Sequence, residues 1–395
     1  MILRAFKYRL YPTSEQQTAF AKHFGCTRWL YNWGLNKKTT AYKETQKSIS
    51  RFELSAELPS LKKAEETAWL AEVNSQSLQA ALEHLDKAYT RFFREKKGFP
   101  SFKSKHGKNS FSVPQNTKVS FEASTLTLPK IGAVEAVFHR TFEGKVKTVT
   151  VSKTATGKYF ASILVETPQT APPLVPIEET FTIGIDVGLK DFATLSTGEK
   201  IANPKHLKKS LKRLKYLQYK HSKKAKGGKN REKARKRLAK RYEKVTNQRN
   251  DFLHKVSTRI VRENQTVCVE NLNIAGMMKN HNLAQAISDV SWSKFLTMVE
   301  YKCAWSGKNF VQIGRFEPSS KQCPCGKRND ALTLSDRMWR CECGREHDRD
   351  ILAACNIKAF GLQKMLNNVG QELPELTLGE SATNRYDVEP RSPRL

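Results

Sequence analysis

The sequence lacks any long apolar run: nothing approaches the roughly 18 consecutive apolar residues that cross a lipid bilayer, and hydrophobic residues make up 38% of the 395 residues. The N-terminal MILRAFKYR alternates apolar and polar side chains and lacks the apolar core of a signal peptide. Acidic residues are also scarce, with 38 Asp and Glu against 69 Lys and Arg. We therefore expect a cytoplasmic protein with no membrane partner.

A disulfide framework is also missing, because the eight cysteines are unevenly placed. Four of them form two knuckles, Cys323-Pro-Cys325-Gly and Cys341-Glu-Cys343-Gly. Four thiolates so arranged suit one tetrahedral Zn²⁺, and the glycine after each pair permits a tight turn. One residue separates the paired cysteines where two are usual, so metal-free thiols remain the alternative to a structural zinc ion. Four further cysteines in apolar patterns are predicted to be small buried side chains: Cys26, Cys268, Cys303 and Cys355.

What the chain has in excess is positive charge, with a formal net charge of +31 and an isoelectric point of about 9.8. Lys and Arg placed along phosphates release counterions, which gives strong, salt-sensitive binding. Residues 205–249 hold twenty Lys or Arg and two acids on a helical pattern interrupted at Gly227-Gly228. Repulsion along such a basic helical hairpin is costly without a polyanion. We expect nucleic-acid binding; a membrane surface is the weaker alternative because no matching apolar stripe is present.

Three carboxylates adjoin apolar segments that lie far apart in the sequence. Asp186 ends the strand-like TIGID, Glu270 ends the strand-like TVCVE, and Asp350 lies in HDRDILAACNI. Taken singly, Asp350 could be a helix cap and Glu270 a surface charge. Taken together they could share two Mg²⁺ ions, or Mn²⁺, with Asp186 bridging both. Asp348 is the alternative third ligand, and His347 is expected at the surface. In so basic a chain this pattern predicts a metal-dependent nuclease.

The N-terminal half predicts short alternating strands and amphipathic helices. Strand 1–11 and the strands of 119–165 suggest a small β-barrel, and helices are predicted at 52–57 and 74–95. The aromatic residues of the second helix, including Phe92 and Phe93, are interpreted as helix-bundle core rather than as base-stacking platforms. A basic loop is expected from Lys96 to Lys118.

Several motifs then identify a family. In order they are YRLYP, WLYNW, KGFPSFK, GIDVGLKDFA, VENL, FEPSSKQC and HDRDILAACNI. With these motifs, residues 1–360 resemble the TnpB (OrfB) family of insertion-sequence proteins, which are related to type V CRISPR effectors. The family acids correspond to Asp186, Glu270 and Asp350, and the family zinc site corresponds to Cys323, Cys325, Cys341 and Cys343.

The resemblance implies an α/β multidomain protein with an RNase H-like (RuvC) nuclease domain, a zinc-ribbon insertion, an N-terminal β-barrel wedge and a helical recognition domain. It implies an RNA-guided DNA endonuclease whose partners are a guide RNA from the element's own end, target double-stranded DNA and a separate transposase of the same element. Its expected place is the cytoplasm, at the nucleoid. The expected divisions are a wedge at 1–12 and 110–170, a recognition domain at 13–109, a nuclease domain at 181–316 and 346–365, a zinc ribbon at 317–345 and a disordered tail at 366–395.

The basic residues expected to contact nucleic acid lie on the first strand, in the basic loop and on the hairpin. They are Arg4, Lys7, Arg9, Lys97, Lys103, Lys105, Lys212, Arg213, Lys223, Lys224, Arg235, Lys236, Arg237, Lys240 and Arg241. Two other functions stay open from the sequence: a DNA transposase that cuts and joins element ends, and a DNA-binding regulator that does not cleave.

Overall fold

A computed structural model describes residues 1–170, 172–333 and 335–369. The chain divides into two units, Met1–Thr170 and Ala171–Leu395, and the division falls inside the proline-rich stretch 168–176. Within the described ranges, no helix combines the length and the apolar character needed to span a membrane.

The first unit contains a seven-stranded antiparallel sheet in the order β2-β6-β7-β1-β5-β4-β3. Its strands are β1 (Ile2–Tyr11), β2 (Asn109–Val113), β3 (Lys118–Ser120), β4 (Thr125–Leu128), β5 (Gly132–Val137), β6 (Lys145–Lys153) and β7 (Tyr159–Thr167). The N-terminal strand joins the sheet as predicted. Strands β2 and β3 are its edges, so the described ladder is open, although Phe111 of β2 and Leu126 of β4 enter one shared core. Strand β2 lies where the sequence predicted only loop.

The helices of this unit lie between the first two strands. They are α1 (Ser14–Thr45), α2 (Arg51–Ala56), α3 (Leu58–Lys63), a 3₁₀ segment (Glu65–Glu72) and α4 (Ser75–Glu95). Helix α1 starts in a capping box, in which the Thr13 side chain accepts from the Gln16 N–H and the Gln16 side chain accepts from the Thr13 N–H. His23 joins α1 to the start of α4, because the Asn74 N–H donates to its Nε2 (3.2 Å). Its Nδ1 therefore carries the proton and donates to the Ala19 carbonyl.

The second unit contains a five-stranded mixed sheet in the order β10-β9-β8-β11-β12. Its strands are β8 (Thr182–Val187), β9 (Asp191–Leu195), β10 (Lys200–Ala202), β11 (Thr266–Val269) and β12 (Asn309–Gln312). The central pairs β8–β11 and β11–β12 are parallel, whereas β8–β9 and β9–β10 are antiparallel. Because the parallel strands are covered on both faces, they are nearly continuous apolar runs. A separate two-stranded ladder joins β13 (Met338–Arg340) to β14 (Glu346–Asp348).

The helices of this unit are α5 (His206–Ser222), α6 (Lys229–Glu263), α7 (Ile274–Met277), α8 (His281–Val290), α9 (Trp292–Trp305) and α10 (Arg349–Val369). The sequence predicted that the basic hairpin ends at 249, which is wrong because its second helix runs on to Glu263. Helix α6 is continuous, because the buried side chains of Val245, Leu253 and Ile260 form one stripe without a helix breaker. Helix α10 also runs through 366–369, which the sequence assigned to the disordered tail; the rest of that segment, 370–395, lies outside the described residues.

Candidate active site

Two of the three candidate acids are neighbours at one end of the mixed sheet. Strands β8 and β11 run parallel with Ile185 opposite Val269. The next residue along each strand is therefore a carboxylate, Asp186 on β8 and Glu270 directly after β11. The parallel register alone brings together two acids that are far apart in the sequence.

The third acid is placed by the close approach of α10 to the sheet. A Cβ atom at Gly184 would overlap the carbonyl oxygen of Ala354, and one at Gly361 would overlap the sulfur of Cys268. Side chains two residues apart on a strand lie on the same face. Asp186 is two residues beyond Gly184, and Glu270 is two residues beyond Cys268. Both carboxylates therefore face the side on which α10 lies. Asp350 precedes Ala354 by about one helical turn. The glycines thus let the start of α10 bring Asp350 to the other two acids.

The electrostatics of Asp186 reflect this convergence. Burial, followed by the negative charges of Glu270 and Asp350, raises the pKa of Asp186 to about 7, against the opposing effect of Arg349 and Arg337. In the described part of the chain, no hydrogen-bond donor or ion-pair partner contacts the Asp186 carboxylate. A partly buried carboxylate beside two like charges is what a bound cation would stabilise.

Asp350 is held by two guanidinium groups. Arg337 donates from one nitrogen to both of its carboxylate oxygens (3.2 Å each), and Arg349 lies 3.4 Å away. The helix cap is Asp348 instead, whose Oδ1 accepts from the N–H groups of Asp350 (3.0 Å) and Ile351 (3.2 Å). Asp348 also pairs with Lys200 at 2.6 Å. The capping role considered for Asp350 therefore belongs to Asp348, the alternative third ligand, and Asp350 is left to face the acid cluster.

Glu270 is oriented by a chain of contacts that the sequence did not reveal. The Ser319 hydroxyl donates to Glu270 Oε1 at 2.6 Å. The side-chain amide of Asn356, on α10, donates to the carbonyls of Ser319 and Gln322 at 2.7 Å each. Ser319 and Asn356 are both buried. The loop after β12 is therefore fixed to α10, and its serine fixes the glutamate.

The donor set of the three acids fits hard divalent ions such as Mg²⁺ or Mn²⁺, which prefer carboxylate oxygen. Among the described residues, only the four thiols form a group of three or more candidate ligands whose ligand atoms all lie within 4.8 Å of one another. The three carboxylates are spread more widely.

The four cysteines of the knuckles come together as predicted. Cys323 Sγ lies 3.7 Å from Cys343 Sγ, and Cys325 Sγ lies 3.6 Å from Cys341 Sγ. These separations approach the edge of a tetrahedron with Zn–S bonds of about 2.3 Å. His347, expected at the surface, is half-buried with its Nε2 3.2 Å from Cys323 Sγ. The donor set therefore fits a zinc ion.

Both knuckles have the same backbone turn despite the single-residue spacer. In the first, the N–H of Cys323 donates to the Lys327 carbonyl, and the N–H of Gly326 donates back to Cys323. The second repeats this pattern, and the glycines that end the turns, Gly326 and Gly344, have φ of 88° and 90°. Only glycine adopts this conformation readily, which explains the Cys-x-Cys-Gly pattern.

The candidate nucleic-acid residues of β1 divide between its two faces. Lys7 and Arg9 lie over the Phe160 ring, at 4.5 and 5.2 Å from its centroid. Arg4 has the opposite parity, shared with the buried Ile2, and is half-buried. The strand therefore presents Lys7 and Arg9 on one face and directs Arg4 toward the other.

In the basic loop, Lys97 and Lys105 are exposed, whereas Lys103 is engaged by α1. The side chain of Asn32 exchanges two hydrogen bonds with the Lys103 backbone (2.7 and 3.0 Å), and the Lys103 ammonium lies 3.6 Å from the Tyr31 ring centroid. Burial, with a smaller contribution from Lys108, lowers the pKa of Lys103 to about 8. The WLYNW and KGFPSFK motifs are thus in direct contact.

On the hairpin, most of the candidate residues are exposed. These are Lys212, Arg213, Lys223, Lys224, Lys236, Arg237 and Lys240. Arg235 is paired with Glu232 at 2.6 Å, and Arg241 donates to the Ser210 hydroxyl of the other helix at 3.1 Å. Arg241 therefore ties α6 to α5 rather than presenting its charge outward.

The base of the hairpin is fixed by a second set of contacts absent from the sequence prediction. Asp289 of α8 accepts from the Leu207 N–H at 3.0 and 3.1 Å and thereby caps α5. The same carboxylate pairs with Arg249 of α6 at 3.0 Å. One aspartate thus joins both helices to the body of the unit.

Three family models match parts of the chain. One described as "Probable transposase" matches residues 162–281, one described as "Helix-turn-helix domain" matches 1–47, and one described as "Cas12f1-like, TNB domain" matches 292–357. In the structure, residues 1–47 are β1 and the single long helix α1. The TNB-domain match contains the cysteine knuckles and Asp350.

Curated relatives match most of the chain. A protein of Streptomyces pristinaespiralis named "Putative RNA-guided DNA endonuclease" is 44% identical over 91% of this chain and 90% of its own length. InsQ of Escherichia coli K12, with the same description, is 30% identical over 91% of this chain and 92% of its own. A solved Cas12f1–sgRNA–target DNA complex is 13% identical, covers 90% of this chain and 98% of that chain, and has a TM-score of 0.48. On the extent and identity of the curated matches, the chain belongs to the TnpB (OrfB) family.

Proposed function

We propose that this chain is an RNA-guided DNA endonuclease of an insertion sequence. It binds a guide RNA from the end of its own element and cleaves target double-stranded DNA beside a short flanking motif. The names of the relatives that are 44% and 30% identical support the guided reaction. The observation that carries the cleavage chemistry is the convergence of Asp186, Glu270 and Asp350 in a chain of net charge +31. No comparable observation supports a transposase that joins element ends or a regulator that binds DNA without cleaving it. A separate transposase as partner has no such support either.

The same proposal assigns the parts of the fold. The mixed sheet of the second unit is an RNase H-like (RuvC) domain, and residues 317–345 are a zinc ribbon inserted between β12 and α10. The sheet of the first unit is the wedge, and its helices are the recognition domain. The order β10-β9-β8-β11-β12, with one acid near the end of β8 and another directly after β11, supports the nuclease assignment.

At the active site, a pair of divalent ions would supply an activated water and neutralise charge on the scissile phosphate. Asp186 would hold both ions, because it lies near enough to both other acids for their charges to raise its pKa. Ser319 fixes the rotamer of Glu270, and Arg337 fixes Asp350 while adding positive charge near the phosphate. Such supporting contacts commonly change metal affinity or activity about 10–100-fold.

The function is tested by expressing the chain with its native flanking DNA, purifying it and sequencing the RNA that copurifies. We expect one structured RNA with an end that matches flanking DNA, and cleavage of a plasmid that carries the matching target. Absent or heterogeneous RNA on folded protein would contradict guidance. Joined element ends in the same reaction would support a transposase instead.

The thiol cluster is predicted to hold one zinc ion per chain. Changing Cys323 to Ser removes a thiolate from the tetrahedron, so we expect the zinc content, measured by plasma mass spectrometry, to fall from about one ion per chain to near zero. Cys355→Ser is the matched control, because Cys355 contacts the Ser196 carbonyl and lies outside the cluster. Equal zinc content in both variants, or none in the wild type, would refute the assignment.

The exposed face of α6 is predicted to contact phosphates. Replacing Lys236, Arg237 and Lys240 with Gln removes three charges, so the slope of log K against log salt should become shallower by about 2–3. The control exchanges Lys for Arg and Arg for Lys at the same positions, which keeps the charge. Binding is measured by filter retention of labelled nucleic acid between 50 and about 300 mM salt. An unchanged slope would place this face outside the interface.

A further inference from the structure

The first unit carries an exposed group of aromatic rings that the proposed cleavage site does not use. At the C-terminal end of α4, Phe93 is 72% exposed, and Phe99 just beyond it is 52% exposed. Phe92 lies 5.0 Å from Phe93 and 5.3 Å from Phe99 between ring centroids, and Tyr89 lies 5.6 Å from Phe99. We call these four residues the α4 aromatic cluster. The interpretation of Phe93 as bundle core is therefore wrong: it packs on one side and is open on the other.

The backbone holds this cluster in position from both ends. After Glu95 the chain reverses at Lys96, which has φ 50° and donates its N–H to the Arg91 carbonyl. This turn lays Phe99 edge-on against Tyr89. Further along, the paired hydrogen bonds between Asn32 and the Lys103 backbone anchor the loop to α1. The backbone that carries the exposed rings is therefore held in place before any partner binds, which lowers the entropic cost of binding.

The segment that carries most of the cluster is strongly basic. Between residues 91 and 108, Glu95 is the only acid, and the exposed basic residues besides the engaged Lys103 are Arg91, Arg94, Lys96, Lys97, Lys105 and Lys108. Exposed aromatic rings in a basic segment match a nucleotide, whose base has an apolar face and whose phosphate is an anion. A protein partner would have to be strongly acidic as well as apolar to match the same surface.

The accessible base faces are those of unpaired nucleotides, because bases inside a duplex are already stacked on one another. Unpaired RNA is recognised mainly by stacking its bases on aromatic side chains. We propose that the α4 aromatic cluster stacks unpaired bases of the RNA that this chain binds, while the surrounding lysines and arginines contact the flanking phosphates. This inference rests on the proposed function only in taking RNA as the partner.

The test measures binding without cleavage, by fluorescence anisotropy of the RNA-free full-length chain with labelled 12-nucleotide probes. The probes are oligo(rA), an abasic RNA of equal length and charge, and oligo(dA). We expect Phe93→Ala/Phe99→Ala to weaken oligo(rA) binding about tenfold, since stacking on an aromatic side chain contributes about that factor or more per base. Binding of the abasic RNA should be unchanged, because its phosphates are unaffected.

Two control variants separate stacking from folding. Phe93→Tyr/Phe99→Tyr keeps both rings and should bind oligo(rA) like the wild type. Phe52→Ala removes a ring of equal exposure, 73%, that lies under Arg51 and outside the cluster, and it should also bind normally.

The results that would contradict the stacking proposal can be told apart from one another. Equal losses for oligo(rA) and abasic RNA, or no loss, would overturn the stacking role, and a loss confined to oligo(dA) would assign the surface to DNA. A wild-type chain that binds both RNAs equally would overturn this inference alone. A wild-type chain that binds no RNA would overturn the proposed function with it.

Discussion

Asp186→Ala should abolish DNA cleavage while leaving RNA binding within a few-fold of the wild type. The alanine removes the carboxylate whose pKa is raised by both Glu270 and Asp350, and with it the ligand proposed to hold both ions. We expect the loss to exceed the roughly 10–100-fold that follows removal of an outer supporting residue. The rate is measured as single-turnover cleavage of a labelled target duplex in Mg²⁺. Asp251→Ala is the control, because Asp251 is an exposed acid of the same unit paired with Lys255. Equal cleavage by Asp186→Ala and wild type would refute the metal site.

The same variant should also remove a pH-dependent effect of Mg²⁺ on stability. The pKa of Asp186 is raised from 3.8 to about 7, so the carboxyl is protonated in the metal-free fold at pH 6, and ion binding must release that proton. Without metal, the protonated carboxyl makes its whole favourable contribution to the free energy of unfolding below pH 4. This contribution is lost as the pH rises through 7. Mg²⁺ should therefore raise the melting temperature more at pH 8 than at pH 6 in the wild type, and at neither pH in Asp186→Ala. An equal shift at both pH values would contradict this assignment.

Gly184→Ala should damage both stability and cleavage without touching an ionisable group. The new methyl group would overlap the Ala354 carbonyl and lie 2.6 Å from the Lys358 nitrogen, both in the backbone of α10. The helix must move away, at a cost of about 1–3 kcal/mol for overpacking. A shift of about 1 Å in Asp350 should lower cleavage about 100-fold. The free energy of unfolding is measured by urea titration and cleavage as above.

The control for this substitution is Gly25→Ala. Gly25 lies in α1, and its added Cβ would meet nothing within 4 Å. Replacing this helical glycine should be neutral or stabilise the unit by about 0.5–1 kcal/mol. If Gly184→Ala folds and cleaves like the wild type, α10 is not fixed by this contact, and the placement of Asp350 needs another explanation.

The sequence was sufficient to predict a strand or a turn where the residues that determine it are adjacent in the chain. The apolar runs before Asp186 and Glu270 predicted two strands, and the alternation in residues 1–11 predicted β1. The glycine after each cysteine pair predicted the turn that the structure contains. In each case a short segment carries its own physical reason.

The sequence was insufficient to predict a residue's role where that role depends on a partner far away in the chain. Ser319 and Glu270 are 49 residues apart, and Asp289 caps a helix 82 residues away. A serine, an asparagine or an aspartate has no local pattern that reveals such a contact. The exposed Phe93 was misjudged for a related reason, because helical periodicity shows which side chains share a face but not whether that face is covered.

The position of Asp350 at the start of α10 also affects the order in which activity arises during synthesis. Asp350 follows Asp186 by 164 positions. A ribosome needs about 8–30 s to translate that stretch at 5–20 residues per second. The first unit, Met1–Thr170, is complete before either acid has been translated. If the N-terminal surfaces bind RNA as proposed, a nascent chain can engage RNA while it still lacks the third carboxylate. If the proposed assignment of the acids is right, the protein would acquire its guide before it could cut.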